Sequence, residues 1–179
     1  DPLFSTVNSP NPEVPGAYEM ALHLAARCGA ELIIANDPDA DRLGVMVRDG
    51  LGNWVLLSGN QLGALLLEHA VRCRREKEHL PEELVMLTTV VSGGLAKAMA
   101  YAMGLEVRET LTGFKYIAQQ MEQLEREGKT FLLGFEESLG FLLAPFVRDK
   151  DGVMAALKVA EMAAWHRAEG RTLWQALQQ

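Results

Sequence analysis

Short apolar runs alternate with longer stretches of helical spacing from residue 84 onward, and this alternation limits the possible fold more than any other feature. Runs at 84–88, 106–110 and 130–135 read as buried strands. Between and after them, 94–103, 115–127 and 151–166 carry helical periodicity, and a short helix is expected from Leu173. Two strands joined by a helix of ten or more residues can lie parallel, because the crossover is long enough to return the chain to the same edge. The expected class is therefore α/β: mixed, mainly parallel sheets flanked by helices.

The first part of the chain is less regular. Four prolines within residues 1–16 read as an extended, turn-rich lead-in. Ala17, Met20, Ala21, Leu24 and Ala25 then place a helix over 13–27, stopped at Gly29. Residues 31–35 and 43–47 read as strands around a polar loop at 36–42. The turn at 49–53 sends 54–57 back antiparallel. A long helix follows from residue 60 to about 78, with Leu62, Leu65, Leu66, His69 and Cys73 on its apolar face and a basic end that suits the helix dipole. Two blocks result, 1–54 and 55–179. The first carries eight acids and three bases, the second sixteen and fourteen, so negative charge is denser in the first. The net charge of -7 argues against a nucleic-acid partner. The two cysteines, Cys28 and Cys73, make no disulfide scaffold and suit a reducing, cytoplasmic setting. No run of 18 apolar residues offers a membrane span, and the first residues have no signal-peptide pattern.

Chemistry concentrates in N-D-P-D-A-D-R-L-G at 36–44. Asp37, Asp39 and Asp41 repel one another on a short loop, and a hard divalent cation cancels that repulsion. Pro38 lowers the entropy lost on ordering the loop. Arg42 either balances the cluster or faces a phosphate. Without a metal, the stretch reads as a solvated acidic turn. An EF-hand is excluded, because positions 6 and 12 counted from Asp37 hold Arg42 and Arg48 in place of Gly and Glu. An aspartate-nucleophile phosphatase is a minor alternative that leaves the third carboxylate unexplained.

The stretch at 36–44 resembles the magnesium loop, D-x-D-x-D-R, of the α-D-phosphohexomutase superfamily. The wording is nearest the branch of bacterial phosphoglucomutases and phosphopentomutase-like enzymes. The resemblance implies that Asp37, Asp39 and Asp41 hold Mg2+, with a phosphoserine oxygen as fourth ligand and Arg42 beside that phosphate. Asn11, Pro12 and Glu13 resemble the lead-in of the same family's second domain.

Three further motifs follow in the family's order. G-F-E-E-S-L-G at 134–140 sets two carboxylates and a hydroxyl at a strand end, a mixture that suits sugar hydroxyls. By resemblance Glu136 and Ser138 contact the sugar, with Glu137 part of the motif. L-T-G-F-K-Y-I at 111–117 reads as a glycine turn into a helix; the resemblance adds Thr112 and Gly113 as specificity residues, with Lys115 a weaker candidate. V-R-D-K-D-G at 147–152 reads as a charged turn capped by Asp149 or Asp151. By resemblance Lys150 assists proton transfer or stabilises charge in the cleft, and Arg148 helps keep that cleft electropositive. T-T-V-V-S-G-G at 88–94 offers Ser92 either as an anion cradle or as a helix cap. The histidines receive no catalytic role, and Phe4, Trp54, Trp165 and Trp174 are assigned to packing.

The resemblance implies phosphoryl transfer within a sugar phosphate, between C1 and C6 of a hexose or C1 and C5 of a pentose. The route is a phosphoserine and a bisphosphorylated intermediate, with a glucose 1,6-bisphosphate-type activator. The nucleophile's T-A-S-H-N-P-like loop is absent from these 179 residues. The chain is accordingly expected to start inside domain 2, to lack domains 1 and 4, to be inactive by itself and to bind magnesium weakly. The start at Asp1 implies a cut that leaves apolar surface in 1–54 exposed or covered by a second copy. A stand-alone metal- or sugar-phosphate-binding module and a purely structural piece are the alternatives from other functional classes.

Overall fold

The computed structural model describes residues 3–76 and 83–179. The end of the expected long helix, at 77 and 78, lies outside the described residues, as does His79.

The lead-in ends in a 3-10 turn, Pro15–Tyr18, that runs into α1 (Glu19–Cys28). The α-helix thus begins six residues later than the expected start at 13, because Pro15 opens the tighter turn. Three strands follow: β1 (Leu32–Asn36), β2 (Leu43–Arg48) and β3 (Trp54–Leu56). They form an antiparallel sheet in the order β1-β2-β3. Side-chain alternation along β2 divides it between two cores. Leu43, Val45 and Val47 face the main core, while Met46 packs with Tyr18, Ala25 and Ile33. Gly44 is required at this point: a Cβ there would lie 2.0 Å from the Tyr18 hydroxyl, which donates to the Pro12 carbonyl. Only part of the apolar pattern of α1 is covered. Ala25 is buried, but Met20 and Leu24 are exposed, as are Leu3 and Leu51.

The second sheet is built from β4 (Leu84–Thr89), β5 (Glu106–Thr110), β6 (Thr130–Glu136) and β7 (Gly140–Leu142), in the order β5-β4-β6-β7. The first three strands are parallel, as the alternation predicts, and β7 is an antiparallel edge. The connections run through α3 (Gly94–Ala102) and α4 (Phe114–Glu127). β5 and β6 flank β4 on opposite sides, so right-handed crossovers place α3 and α4 on opposite faces. The packing agrees. Val85 and Leu87 meet Phe114, Ile117, Met121 and Leu124 of α4, while Leu84 and Met86 belong to the main core. β4, buried along its whole length, is therefore a switch point, and ligands of such sheets bind beyond the carboxyl ends of the strands.

Three more helices complete the fold: α2 (Gly59–Glu76), α5 (Gly152–Ala168) and α6 (Leu173–Leu177). α5 touches β1 and β2 of the first sheet, β7 of the second, and α2. Its N-terminus is capped by Asp151, whose carboxylate accepts the Met154 N–H at 2.8 Å, an arrangement worth about 1 kcal/mol. The main core runs without a break from Leu43, Val45 and Val47 through Leu62 and Leu66 to Phe135 and Val159.

β7 lies beyond what the residue pattern announces. The G-F-E-E-S-L-G stretch reads as a loop after a strand, yet it forms a hairpin in which Glu136 pairs with Gly140. Leu139 takes φ 66, a left-handed value that a branched side chain adopts at a cost.

Candidate functional site

Asp37, Asp39 and Asp41 lie between β1 and β2, and one carboxylate oxygen from each falls within 4.8 Å of the others. Asp37 is buried, Asp39 exposed and Asp41 intermediate. The loop is closed at its base by Asn36, whose Nδ2 donates to the Arg42 carbonyl at 2.8 Å. Asp37 accepts the Arg42 backbone N–H at 2.9 Å and the Arg42 Nε–H at 2.7 Å. Burial pushes the Asp37 carboxyl up, but the two Arg42 hydrogen bonds and the guanidinium charge outweigh it and hold the group below the usual carboxylate range. Ala40, at the tip, sits at φ 57. This left-handed position in a chemically loaded loop carries a cost of about 1–3 kcal/mol that the surrounding hydrogen bonds offset.

Three backbone contacts among the described residues bind this loop to the second block. Arg42 and Gly140 form an antiparallel bridge, and the Leu43 N–H donates to the Leu139 carbonyl at 3.0 Å. The Gly152 N–H donates to the Ala40 carbonyl at 3.0 Å, and within the second block the Asp151 N–H donates to the Phe141 carbonyl at 2.9 Å. Residues 37–42, 136–140 and 150–152, distant in sequence, thus become one assembly.

Lys150 lies across it. Its stem passes over Gly140, where a Cβ would meet Lys150 Cδ at 2.5 Å, and its ammonium is 2.9 Å from Asp41. Burial lowers the Lys150 pKa, and the ion pairs with Asp41 and Asp149 more than reverse that, leaving it raised. Arg148 does not join this assembly, contrary to the expectation from its neighbour. It pairs with Glu125 on α4, which captures the guanidinium at the protein surface.

The other motifs converge at the carboxyl ends of β4, β5 and β6. Glu136 is buried and accepts the Gly113 N–H at 2.7 Å, which ties the turn at 136–140 to the Thr112–Gly113 turn. Gly113 has φ 118, open to glycine alone at low cost. Thr112 and Lys115 are exposed, Lys115 near the Tyr116 ring. Ser138 is half-buried at the hairpin tip. Glu137 has a different environment from Glu136. Its Oε2 accepts the hydroxyls of Thr89 and Ser92, each at 3.1 Å, and these two hydroxyls lie 2.8 Å apart. Ser92 therefore caps no helix: Gly93 holds the N-cap position of α3 without a side-chain cap, and the Ser92 hydroxyl turns to Glu137 instead. Thr89, Asn36 and Gly152 are the positions that residue patterns alone pass over. Each acts through a partner more than five residues away, or through the absence of a side chain.

Comparison with known proteins fits this arrangement. Residues 58–179 match the family described as phosphoglucomutase/phosphomannomutase, alpha/beta/alpha domain III, and residues 1–50 match alpha/beta/alpha domain II of the same family. The chain belongs to this phosphoglucomutase/phosphomannomutase family. A phosphoglucomutase of Staphylococcus epidermidis is 45% identical over 173 residues, which cover 97% of this chain and 31% of that protein. A phosphoglucomutase of Staphylococcus aureus is 42% identical over the full 179 residues, 32% of its own length. Among solved structures, a putative phosphomannomutase from Thermus thermophilus superposes with a TM-score of 0.73 at 26% identity, covering 99% of this chain and 36% of that one. The chain thus spans about a third of the length of the curated relatives it matches. Among the described residues, no helix is long and apolar enough to cross a membrane.

Proposed function

We propose that the chain supplies the metal loop and the sugar-recognition turn of a phosphosugar mutase, an intramolecular phosphotransferase of the isomerase class. The observation that carries this reading is the assembly of the three aspartates with the Glu136–Ser138 turn through the Arg42–Gly140 bridge. In this reading 1–54 belongs to the family's second domain and 55–179 to its third.

An all-oxygen donor set of three convergent carboxylates fits Mg2+. When bound, the ion would neutralise charge on a transferring phosphoryl group. Asp37, Asp39 and Asp41 would hold it. Arg42 keeps Asp37 ionised and its guanidinium beside the loop, where an incoming phosphate would meet positive charge. Lys150, held by Asp41, is placed to exchange a proton with a substrate hydroxyl or to stabilise its developing charge. Glu136 and Ser138 would bind sugar hydroxyls, with Thr112 and Gly113 shaping the adjoining wall. Glu137, fixed by Thr89 and Ser92, braces the turn. The identity to phosphoglucomutases favours a glucose phosphate over a mannose or pentose phosphate, acting from the cytoplasm with a bisphosphorylated sugar as activator. The nucleophilic serine and the main phosphate anchor would come from other parts of a longer enzyme. The exposed Met20 and Leu24 are apolar side chains that such parts, or a second copy, would cover.

The test is a paired one. The 179-residue chain should bind Mg2+ weakly in calorimetry, should lose that binding in Asp39→Asn, and should not convert glucose 1-phosphate. A longer polypeptide containing it should interconvert glucose 1- and 6-phosphate, with a sharply reduced kcat in Glu136→Gln. Steady turnover by the 179-residue chain would overturn the division of labour.

A further inference from the structure

The second half of α2 carries another group of metal-binding atoms, outside the site described above. His69 and Cys73 are four residues apart and so share one helix face. Glu161 reaches them from α5. His69 Nε2 is 3.6 Å from Cys73 Sγ and 3.8 Å from Glu161 Oε2, and Cys73 Sγ is 3.8 Å from Glu161 Oε1. Zinc bonds of about 2.0–2.3 Å in a tetrahedron put neighbouring ligand atoms about 3.3–3.6 Å apart. The two Glu161 distances involve different carboxylate oxygens, so the carboxylate must turn to present one oxygen to both partners and close the triangle. A cavity of about 410 Å3, lined by His69, Cys73, Arg74, Leu132 and Lys158 among others, borders the triangle and leaves room for a fourth ligand. Lys158 donates to Glu161 Oε2 at 2.7 Å and orients the carboxylate, as partners of metal ligands commonly do.

We propose that His69, Cys73 and Glu161 form a second metal site, for a divalent cation of the zinc class, with one coordination position open to the adjoining cavity. Sulfur and imidazole donors select such an ion over magnesium, whereas the all-oxygen loop at 37–41 has the opposite preference. Binding moves the Cys73 thiol proton to the solvent as the metal–sulfur bond forms. The resulting thiolate and the Glu161 carboxylate balance the two positive charges of the ion. The cations beside the site resist, Lys158 through its hold on Glu161 and Arg72 most directly. Arg72 Nη2 lies 2.6 Å from His69 Nδ1, so the metal-free ring accepts there and carries its proton on Nε2. Ligation through Nε2 moves the ring proton to Nδ1, where it faces another donor. Arg72 then has to swing toward its other partners, Glu76 at 2.9 Å and the Trp165 ring at 3.7 Å. Arg72 therefore sets the affinity of the site without ligating.

The probe is Co2+, titrated into the 179-residue chain carrying Cys28→Ser, so that Cys73 is its one thiol. The expected result is a thiolate-to-cobalt charge-transfer band with tetrahedral d–d bands, saturating at one ion per chain, displaced by Zn2+ and insensitive to excess Mg2+. Cys73→Ser should abolish the band. Glu161→Gln, at a surface position that leaves folding intact, should weaken binding by more than the ~10-fold typical of losing an outer-shell partner. Arg72→Gln, which replaces a donor with a group able to accept from Nδ1–H, should tighten binding several-fold. Circular dichroism checks that each variant is folded. Absence of the band, its survival in Cys73→Ser, or unchanged affinity in Glu161→Gln would show a hydrogen-bonded cluster only. No tightening in Arg72→Gln would overturn Nε2 of His69 as the ligand.

Discussion

Gly152→Ala separates two opposed effects at one position. Gly152 opens α5 with an ordinary backbone, and an exposed glycine in a helix is generally improved by alanine by about 0.5–1 kcal/mol. Here the added Cβ would lie 2.4 Å from Asn36 Nδ2 and 2.7 Å from the carbonyl oxygens of both Ala40 and Arg42. Two of these atoms are backbone of the acidic loop, so no side-chain rotation relieves them. Either the loop withdraws or α5 does, and the Gly152–Ala40 and Asn36–Arg42 hydrogen bonds are strained together. Overpacking of this kind costs about 1–3 kcal/mol. The expected net effect is a loss of about 2 kcal/mol, read as a fall of roughly 4–8 °C in Tm for a chain of this size. Loop displacement worth about 1.4 kcal/mol would also weaken Mg2+ binding about tenfold. Urea denaturation and calorimetry measure both. Gly94→Ala is the control: it opens α3 with nothing within 4 Å of its Cβ and should be neutral or slightly stabilising. A Gly152→Ala chain as stable as wild type, with unchanged Mg2+ affinity, would refute the claim that α5 is docked on the acidic loop through this contact.

Burial, followed by the charge of Arg72, lowers the His69 pKa to about 4. Between that value and the unfolded value near 6.5 only the unfolded chain takes up the proton, so stability is complete above pH 6.5 and falls with pH; by pH 5 the loss is about 2 kcal/mol. Urea midpoints at pH 7.5 and 5, with EDTA present, should differ accordingly, and equal midpoints would contradict the buried neutral imidazole. Ser92→Ala removes a hydroxyl donated to the Glu137 carboxylate and should cost about 1–2 kcal/mol in the same assay, whereas a solvated serine would cost nothing. Ala40→Gly relieves a left-handed alanine and should leave stability equal or raised by up to about 1 kcal/mol; a clear loss would mean that the Ala40 methyl contributes packing not accounted for.

The alternation after residue 84 was legible because parallel strands buried on both faces are continuous apolar runs, and β4 is such a strand. The clustering of acids at 37–41 was legible too, since three carboxylates within five residues need no distant partner to be seen. β7 was not. Its three residues, Gly140–Leu142, owe their conformation to pairing with β6, and no periodicity fits into so short a strand. The two glutamates of the turn look equivalent in sequence, yet the backbone directs Glu136 to the Gly113 N–H and Glu137 to the hydroxyls of Thr89 and Ser92. Likewise Arg148 and Lys150 are two residues apart and serve different partners, Glu125 and Asp41.

By itself the sequence determined the order of elements after residue 84 apart from β7, the strand–loop–strand around the aspartates and the chemical character of the side chains along them. Periodicity, turn residues and charge act over a few residues and are written locally. Only the tertiary structure decided that the loop at 37–42 lies against 139–140 and 150–152, that Ala40 and Leu139 are held in left-handed conformations, and that His69, Cys73 and Glu161 meet. Those outcomes depend on how helices and sheets pack at long sequence separation, where the burial of apolar faces fixes the geometry and the polar groups are carried with it.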